Sequence, residues 1–208
     1  MIPTPDVSHL TDKDYSIIYE PAEDTFLFLD ALEADAGDLK ELKALICLEV
    51  GSGSGCISSF VAQILGPSVR AISFSLAGIK VSLECINTSF ASPLIHRLWH
   101  QVDIILFNPP YVPTEYEEAR FAQQGKSIAG AWAGGYDGMQ VTNEFLEIVE
   151  DLLSERGLFY LVALKQNNVP EIQKRMLHEH SLESKVVLQR RAGREHLFIL
   201  RFKRQNPS

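Results

Sequence analysis

Three stretches of this chain run almost without a polar residue: Ala44–Val50 (ALICLEV), Val102–Phe107 (VDIILF) and Leu158–Leu164 (LFYLVAL). Short continuous apolar runs bounded by turn residues predict strands buried on both faces, as in a parallel sheet. VRAISF, around residues 69–74, predicts one more short strand. The segments between them change period. PAEDTFLFLDALEAD (Pro21–Asp35) predicts a helix with Pro21 in its first turn and Phe26, Leu29 and Leu32 on one face. CISSFVAQILG (Cys56–Gly66) predicts a helix stopped by Gly66-Pro67, and Gly138–Gly157 one long helix ended by Gly157. A further helix is expected over about 169–179, then two strands, SKVVLQR (Ser184–Arg190) and EHLFILRFK (Glu195–Lys203).

Alternating strands and helices specify an α/β fold: a mostly parallel sheet covered on both faces. The last two strands are too close in sequence for a crossover helix and should pair antiparallel, as a C-terminal hairpin. No repeat, low-complexity tract or linker divides the chain, so residues 1–208 read as a single domain. Residues 1–18 are polar and irregular. The Gly- and Ala-rich stretch Val112–Gly138 reads as a substrate loop, because long loops without structure of their own tend to be functional.

Composition narrows the classes of function. With 46% hydrophobic and 22% charged residues, a chain of 208 residues buries a substantial core. Its net charge of -8 disfavours broad binding to phosphate backbones. The basic clusters, Arg190-Arg191 with Arg194 and Arg201–Arg204, fit solvated strand edges. The N-terminus carries Asp6, Asp12 and Asp14 instead of the apolar core of a signal peptide. The cysteines, Cys47, Cys56 and Cys85, are odd in number and have apolar neighbours, which predicts reduced thiols and a cytoplasmic or nuclear location.

Two motifs carry chemistry. LEVGSGSG places Glu49, Gly51, Gly53 and Gly55 at the end of a buried strand. Alternating glycines let the backbone turn tightly and approach a ligand closely. The spacing G-x-G-x-G after an acid differs from the dinucleotide pattern G-x-G-x-x-G, and suits S-adenosylmethionine, which has no pyrophosphate to seat. The second motif is Asn108-Pro109-Pro110-Tyr111, at the exit of the strand Val102–Phe107. A planar NH2 group, in a glutamine amide or an adenine amine, is a poor nucleophile because its lone pair is conjugated. Two acceptors that bind its two N–H groups would fix the nitrogen as a methyl arrives: the side-chain oxygen of Asn108 and the carbonyl of Pro109. The prolines stiffen the turn so that both acceptors are preorganised, and the ring of Tyr111 can pack on the flat target group.

These motifs, with YEPAEDTFLFLDALE (Tyr19–Glu33), CLEVGSGSG (Cys47–Gly55), VDIILFNPPYVPT (Val102–Thr114), AWAGGYDG (Ala131–Gly138) and LLSERGLFYLV (Leu152–Val162), resemble the HemK family of class I S-adenosylmethionine-dependent methyltransferases. The resemblance is to its eukaryotic branch, the release-factor glutamine methyltransferases. It implies the Rossmann-like class I fold and transfer of methyl to N5 of the glutamine in the Gly-Gly-Gln motif of a translation termination factor. It also implies a heterodimer with a small zinc-binding activator subunit. Thr25, Glu49, Gly51, Gly53, Gly55 and Asn108 are then expected at the cofactor, and Asn108–Tyr111 at the acceptor glutamine.

The chain departs from the family in one region. Where relatives carry acids for the cofactor ribose and adenine, Ser75 and Ser89 stand here, and the segment of about Leu76–Ala91 is short for a helix and a strand. Three alternatives to the glutamine reading therefore stay open: methylation of a DNA adenine, of a protein lysine, or a member with an impaired cofactor site. His96 and His100 sit four apart, a spacing that holds zinc on a helix, but no third ligand is apparent and no metal is expected. His178-Glu179-His180 reads as a polar helix end. Phe145, Ile148 and Leu152 read as core, and Trp132 as either a groove residue or a loop anchor.

Overall fold

The structure, a computed structural model, describes residues 1–66, 70–73, 83–85, 94–114 and 134–205. After a short helix α1 (Asp12–Tyr15), two helices, α2 (Glu23–Ala34) and α3 (Ala36–Leu42), lead into strand β1 (Ile46–Val50). Helix α4 (Cys56–Leu65) and strands β2 (Arg70–Ser73) and β3 (Leu83–Cys85) follow. A short helix α5 (Ile95–Leu98) precedes β4 (Val102–Phe107). Helices α6 (Gln140–Leu146) and α7 (Val149–Leu152) then run into β5 (Leu153–Leu164). A 3-10 turn, Lys165–Asn167, leads to α8 (Val169–His180) and the final pair β6 (Leu182–Ala192) and β7 (Glu195–Arg204).

The seven strands form one sheet in the order β3-β2-β1-β4-β5-β7-β6. Pairing is parallel from β3 to β5 and antiparallel at β5–β7 and β6–β7. The expected C-terminal hairpin is therefore present, and β7 inserts between its hairpin partner and β5.

The continuous apolar strands are explained by burial on both faces. In β4, Ile104 and Leu106 face the helices α2, α3 and α4, whereas Val102, Ile105 and Phe107 face α5 to α8. In β5, Leu158, Tyr160, Val162 and Leu164 alternate with Phe159, Leu161 and Ala163 in the same way. The second layer holds an aromatic column, Phe107–Phe145–Phe159–Phe202, with ring centroids 4.8, 5.9 and 5.3 Å apart. Phe145 and Leu152 are core residues as expected.

Three expectations are corrected. The helix predicted from Gly138 to Gly157 stops at Leu152 and is broken into α6 and α7; residues Leu153–Gly157 belong to β5. Its apolar spacing does fit a helix, but two long-range contacts override it. Ser154 Oγ donates to Asp103 Oδ1 at 2.9 Å, and a Cβ on Gly157 would lie 2.9 Å from the carbonyl of Val102. Gly157 is thus a strand glycine at a register shift against β4. On α2, Phe26 is 40% exposed, and the buried face is Leu27, Phe28, Leu29, Ala31 and Leu32. Helix α3 was not anticipated. Within the shortened segment, Leu83–Cys85 pairs with β2, while Ser75, Ser89 and Trp132 lie outside the described residues.

A buried polar network ties the first layer to the hairpin. Asp35, between α2 and α3, accepts hydrogen bonds from Tyr160 Oη at 3.0 Å, Arg201 Nη1 at 2.9 Å and Lys185 Nζ at 3.0 Å. Arg201 also reaches Asp38 at 2.5 Å. Burial, followed by the charge of Asp35, pushes the Tyr160 phenol above the usual tyrosine range. Removing the carboxylate leaves the Arg201 charge, 11% exposed, with Asp38 alone. Asp35→Ala should therefore cost about 3 kcal/mol or more, and Tyr160→Phe about 1 kcal/mol. Urea unfolding monitored by circular dichroism measures both, and equal small losses would show that the network contributes little.

Candidate active site

The strand order reverses direction between β1 and β4, and both strands point the same way. Their register pairs Val50 with Phe107, so the chain leaves β1 at Gly51 and β4 at Asn108 side by side. A crevice outside the carboxyl ends of the strands at such a reversal is where α/β sheets bind ligands. Parallel pairing thus joins the two motifs that sequence kept apart.

On the β1 side, Gly51, Gly53 and Gly55 all adopt positive φ, 71°, 48° and 72°. Side chains rarely tolerate that conformation, which is why the loop alternates glycine with serine. Glu49 is buried at the end of β1, and its Oε2 accepts the backbone N–H of Ser58 at 3.0 Å and the Ser58 hydroxyl. Ser58 lies in the first turn of α4, so this carboxylate joins strand end to helix start across the loop and faces the positive end of the helix dipole. Burial pushes the Glu49 carboxyl up to about 7, against the pull of the Ser58 donors. Ser52 is also buried, and its Oγ has no hydrogen-bond partner among the described residues. An orphaned hydroxyl in a loop of left-handed glycines fits a polar ligand such as S-adenosylmethionine.

On the β4 side the organising group is Asp24, an acid in the first turn of α2 that the sequence reading did not single out. It is 3% exposed. Its Oδ1 accepts from the backbone of Thr25 at 2.8 Å and from Tyr19 Oη at 3.2 Å. Its Oδ2 accepts from Asn108 Nδ2 at 2.9 Å and Tyr111 Oη at 3.0 Å. A carboxylate is acceptor-only here, so it selects the amino end of the Asn108 amide and turns the oxygen away. Asn108 Oδ1 is left buried without a partner among the described residues. It is the oxygen to which the sequence assigns the acceptor role.

Tyr111 differs from its expected role. It is 7% exposed, and its hydroxyl is committed to Asp24. Burial first, then the Asp24 charge, raise the phenols of both Tyr111 and Tyr19 above the usual tyrosine range, so both act as donors. Thr25 Oγ1 accepts the N–H of Ala22 at 3.4 Å and closes the first turn of α2 beside Asp24. A cavity of about 470 Å³ opens next to this cluster, lined by Tyr19, Asp24 and Tyr111 and by Arg191 and Glu195 of the hairpin. The backbone beyond Tyr111 is bonded to residues 134–135, with Gly134 N to Val112 O at 2.8 Å and Thr114 N to Gly135 O at 2.8 Å. The two ends of the expected 112–138 loop therefore meet, while its middle, 115–133, lies outside the described residues.

The histidines stand elsewhere. His96 is exposed on α5, and His100, beyond the helix, contacts Arg204 Nη2 through Nδ1 at 2.9 Å. Glu147, Glu179 and His180 bring ligand-type atoms within 4.8 Å of one another, but Arg175 already supplies positive charge to both carboxylates at 3.9 and 4.0 Å. Cys47 and Cys56 are buried free thiols. Among the described residues, no helix is long and apolar enough to cross a membrane.

No family model matches the chain. Individual relatives do so over nearly their whole length. The human protein named "Methyltransferase HEMK2" is 43% identical, over 96% of this chain and 95% of its own. The Schizosaccharomyces pombe "eRF1 methyltransferase catalytic subunit mtq2" is 40% identical, over 98% and 96%. Among solved structures, the E. cuniculi Mtq2–Trm112 complex superposes with a TM-score of 0.66 at 23% identity, covering 90% of this chain and 99% of the matched one, a likeness of fold. At 40–43% identity over nearly the whole length of both, the chain belongs to the HemK family of S-adenosylmethionine-dependent methyltransferases, in the branch that holds HEMK2 and mtq2.

Proposed function

We propose that this protein transfers the methyl group of S-adenosylmethionine to the side-chain amide nitrogen of a glutamine in a translation termination factor. The observation that carries the reading is the Asp24–Asn108 hydrogen bond, which leaves Asn108 Oδ1 buried and, among the described residues, unpaired beside the glycine loop. The name of the S. pombe relative, an eRF1 methyltransferase subunit, supports this substrate. The complex of E. cuniculi Mtq2 with Trm112 supports a small partner subunit, which we take to be the zinc-binding activator implied by the resemblance.

When bound, S-adenosylmethionine supplies a methyl on a positively charged sulfur, so the site needs no strong base. Gly51, Gly53 and Gly55 would let the backbone approach the cofactor, and Thr25, Glu49 and Asn108 would flank it. The protein's main task is orientation. Asn108 Oδ1 accepts one N–H of the target amide and the Pro109 carbonyl accepts the other, which loosens the conjugation of the nitrogen lone pair and aims it. Pro109 and Pro110 cannot donate backbone hydrogen bonds, because neither has an N–H. Asp24 prevents the Asn108 amide from flipping, since the flipped form would set oxygen against carboxylate. These contacts strengthen as the nitrogen becomes tetrahedral, and so act on the rate. The nitrogen sheds one proton to solvent after transfer.

The reading is tested by incubating the protein, co-purified with its small partner, with a termination factor and S-adenosylmethionine and locating one added methyl on glutamine by mass spectrometry. Asn108→Ala should lower turnover roughly 1000-fold while cofactor affinity stays within about tenfold; retained turnover would sink the assignment. A methyl found on lysine or on DNA adenine instead would move the activity to another acceptor.

Glu49 makes the protein sensitive to pH. Its folded pKa of about 7 lies above the ordinary carboxyl value, so the folded state keeps a proton that the unfolded state releases. That contribution is full below the unfolded value of about 4.3 and is lost as pH rises through about 7. Between pH 5 and pH 8 the wild type should lose roughly 2–3 kcal/mol relative to Glu49→Gln, measured by urea unfolding at both values. Parallel pH profiles would assign the dependence to other groups.

The serine at 75 offers a test of the cofactor half. Ser75→Asp should tighten S-adenosylmethionine by roughly one to two decades in calorimetric titration, from added charge-assisted hydrogen bonds. Unchanged affinity would mean that residue 75 does not face the ribose.

A further inference from the structure

Asn167 is 4% exposed and lies in the 3-10 turn after β5, far in sequence from both motifs. Its amide is fully used. Oδ1 accepts the N–H of Leu164 at 2.7 Å, and Nδ2 donates to the Tyr111 carbonyl at 3.2 Å and the Asp137 carbonyl at 3.1 Å. One side chain thus joins the end of β5, the Asn108–Tyr111 turn and the segment 134–138. The space around it is filled: a Cβ on Gly138 would lie 2.1 Å from the Tyr111 oxygen and 2.8 Å from Asn167 Nδ2, and a Cβ on Gly134 would lie 2.6 Å from the Pro110 oxygen. Gly138 itself is held at φ 70°.

The sequence of the turn creates the need for such a clamp. Pro109 and Pro110 have no N–H with which to bind neighbouring chain, so the turn must be held through its carbonyls and through side chains. Tyr111 is pinned from both ends, with its hydroxyl on Asp24 and its carbonyl on Asn167. Asp24 in turn holds Asn108. We propose that Asn167 is a positioning residue for methyl transfer, fixing the acceptor turn from behind through the Tyr111 carbonyl while Asp24 fixes it from the front. Its side chain acts through the backbone groups it bonds, and the proposal rests on the glutamine-amide reading above. Displacing a catalytic group by about 1 Å can cost on the order of 100-fold in rate.

The informative variant is Asn167→Asp, nearly the same shape. It keeps an acceptor for Leu164 N–H but replaces two donors by a carboxylate oxygen facing two carbonyls. With termination factor as substrate, kcat should fall about 30- to 100-fold, while KM, cofactor affinity by calorimetry and the folded fraction by circular dichroism stay within about threefold of wild type. Asn167→Ala, which adds no charge, is the second variant and is held to the same outcomes. Loss of activity only in proportion to loss of folded protein would reduce Asn167 to a structural residue and overturn the proposal, as would a folded variant with kcat within threefold. A substrate-free arm separates this proposal from the one it rests on. In Asn167→Asp, amide hydrogen exchange should speed at least tenfold at Gly134, whose N–H bonds Val112 O, and stay unchanged in the glycine loop. Faster exchange at Gly134 in a protein that methylates no glutamine would sink the glutamine reading and leave the clamp standing. Unchanged exchange would overturn the clamp whatever the acceptor.

Discussion

Asp24 is a carboxylate with little access to water that accepts from five donors: the backbone N–H and hydroxyl of Thr25, two phenols and the Asn108 amide. A buried charge is tolerable only when its lone pairs are filled in this way. The consequence is directional. Because a carboxylate cannot donate, every group around it must present hydrogen, and Asn108 can satisfy it only by facing its oxygen elsewhere. That oxygen is the group with which the proposed chemistry begins. The proposed acceptor site is therefore specified as much by the helix in front of the sheet as by the strand that carries its motif.

The remainder of the architecture brings that pair into reach of the glycine loop. Parallel register between β1 and β4 sets Gly51 beside Asn108, and Glu49 closes the base of the glycine loop against α4. Helix α2, which presents Asp24, is anchored at its other end by Asp35, held by Tyr160, Arg201 and Lys185 from three strands of the sheet. The helix is thus fastened at one end by ion pairs to the C-terminal hairpin and at the other by the acceptor turn. Stability and active-site geometry share one element, so weakening the Asp35 network should also loosen the placement of Asp24.

Much of this was legible in the chain alone. The apolar runs of β1, β4 and β5 and the hairpin of β6 and β7 followed from burial on two faces and from short spacing, both local properties. The glycine loop and the Asn108–Tyr111 turn were legible as candidate motifs because the chemistry proposed for them calls for particular residues at adjacent positions. Two kinds of feature were not. The end of α7 and the start of β5 were hidden because Ser154 and Gly157 answer to Asp103 and Val102, partners on another strand. Asp24 and Asn167 were hidden because one acid in a helix's first turn and one asparagine in a polar turn look ordinary until their partners arrive from sequence separations of 84 and 56 residues. Sequence by itself determined which strand ends carry the glycine loop and the Asn-Pro-Pro-Tyr turn; only tertiary structure decided which way the Asn108 amide faces and what holds it there, because a hydrogen bond's direction depends on the donor or acceptor across the fold, which no local pattern encodes.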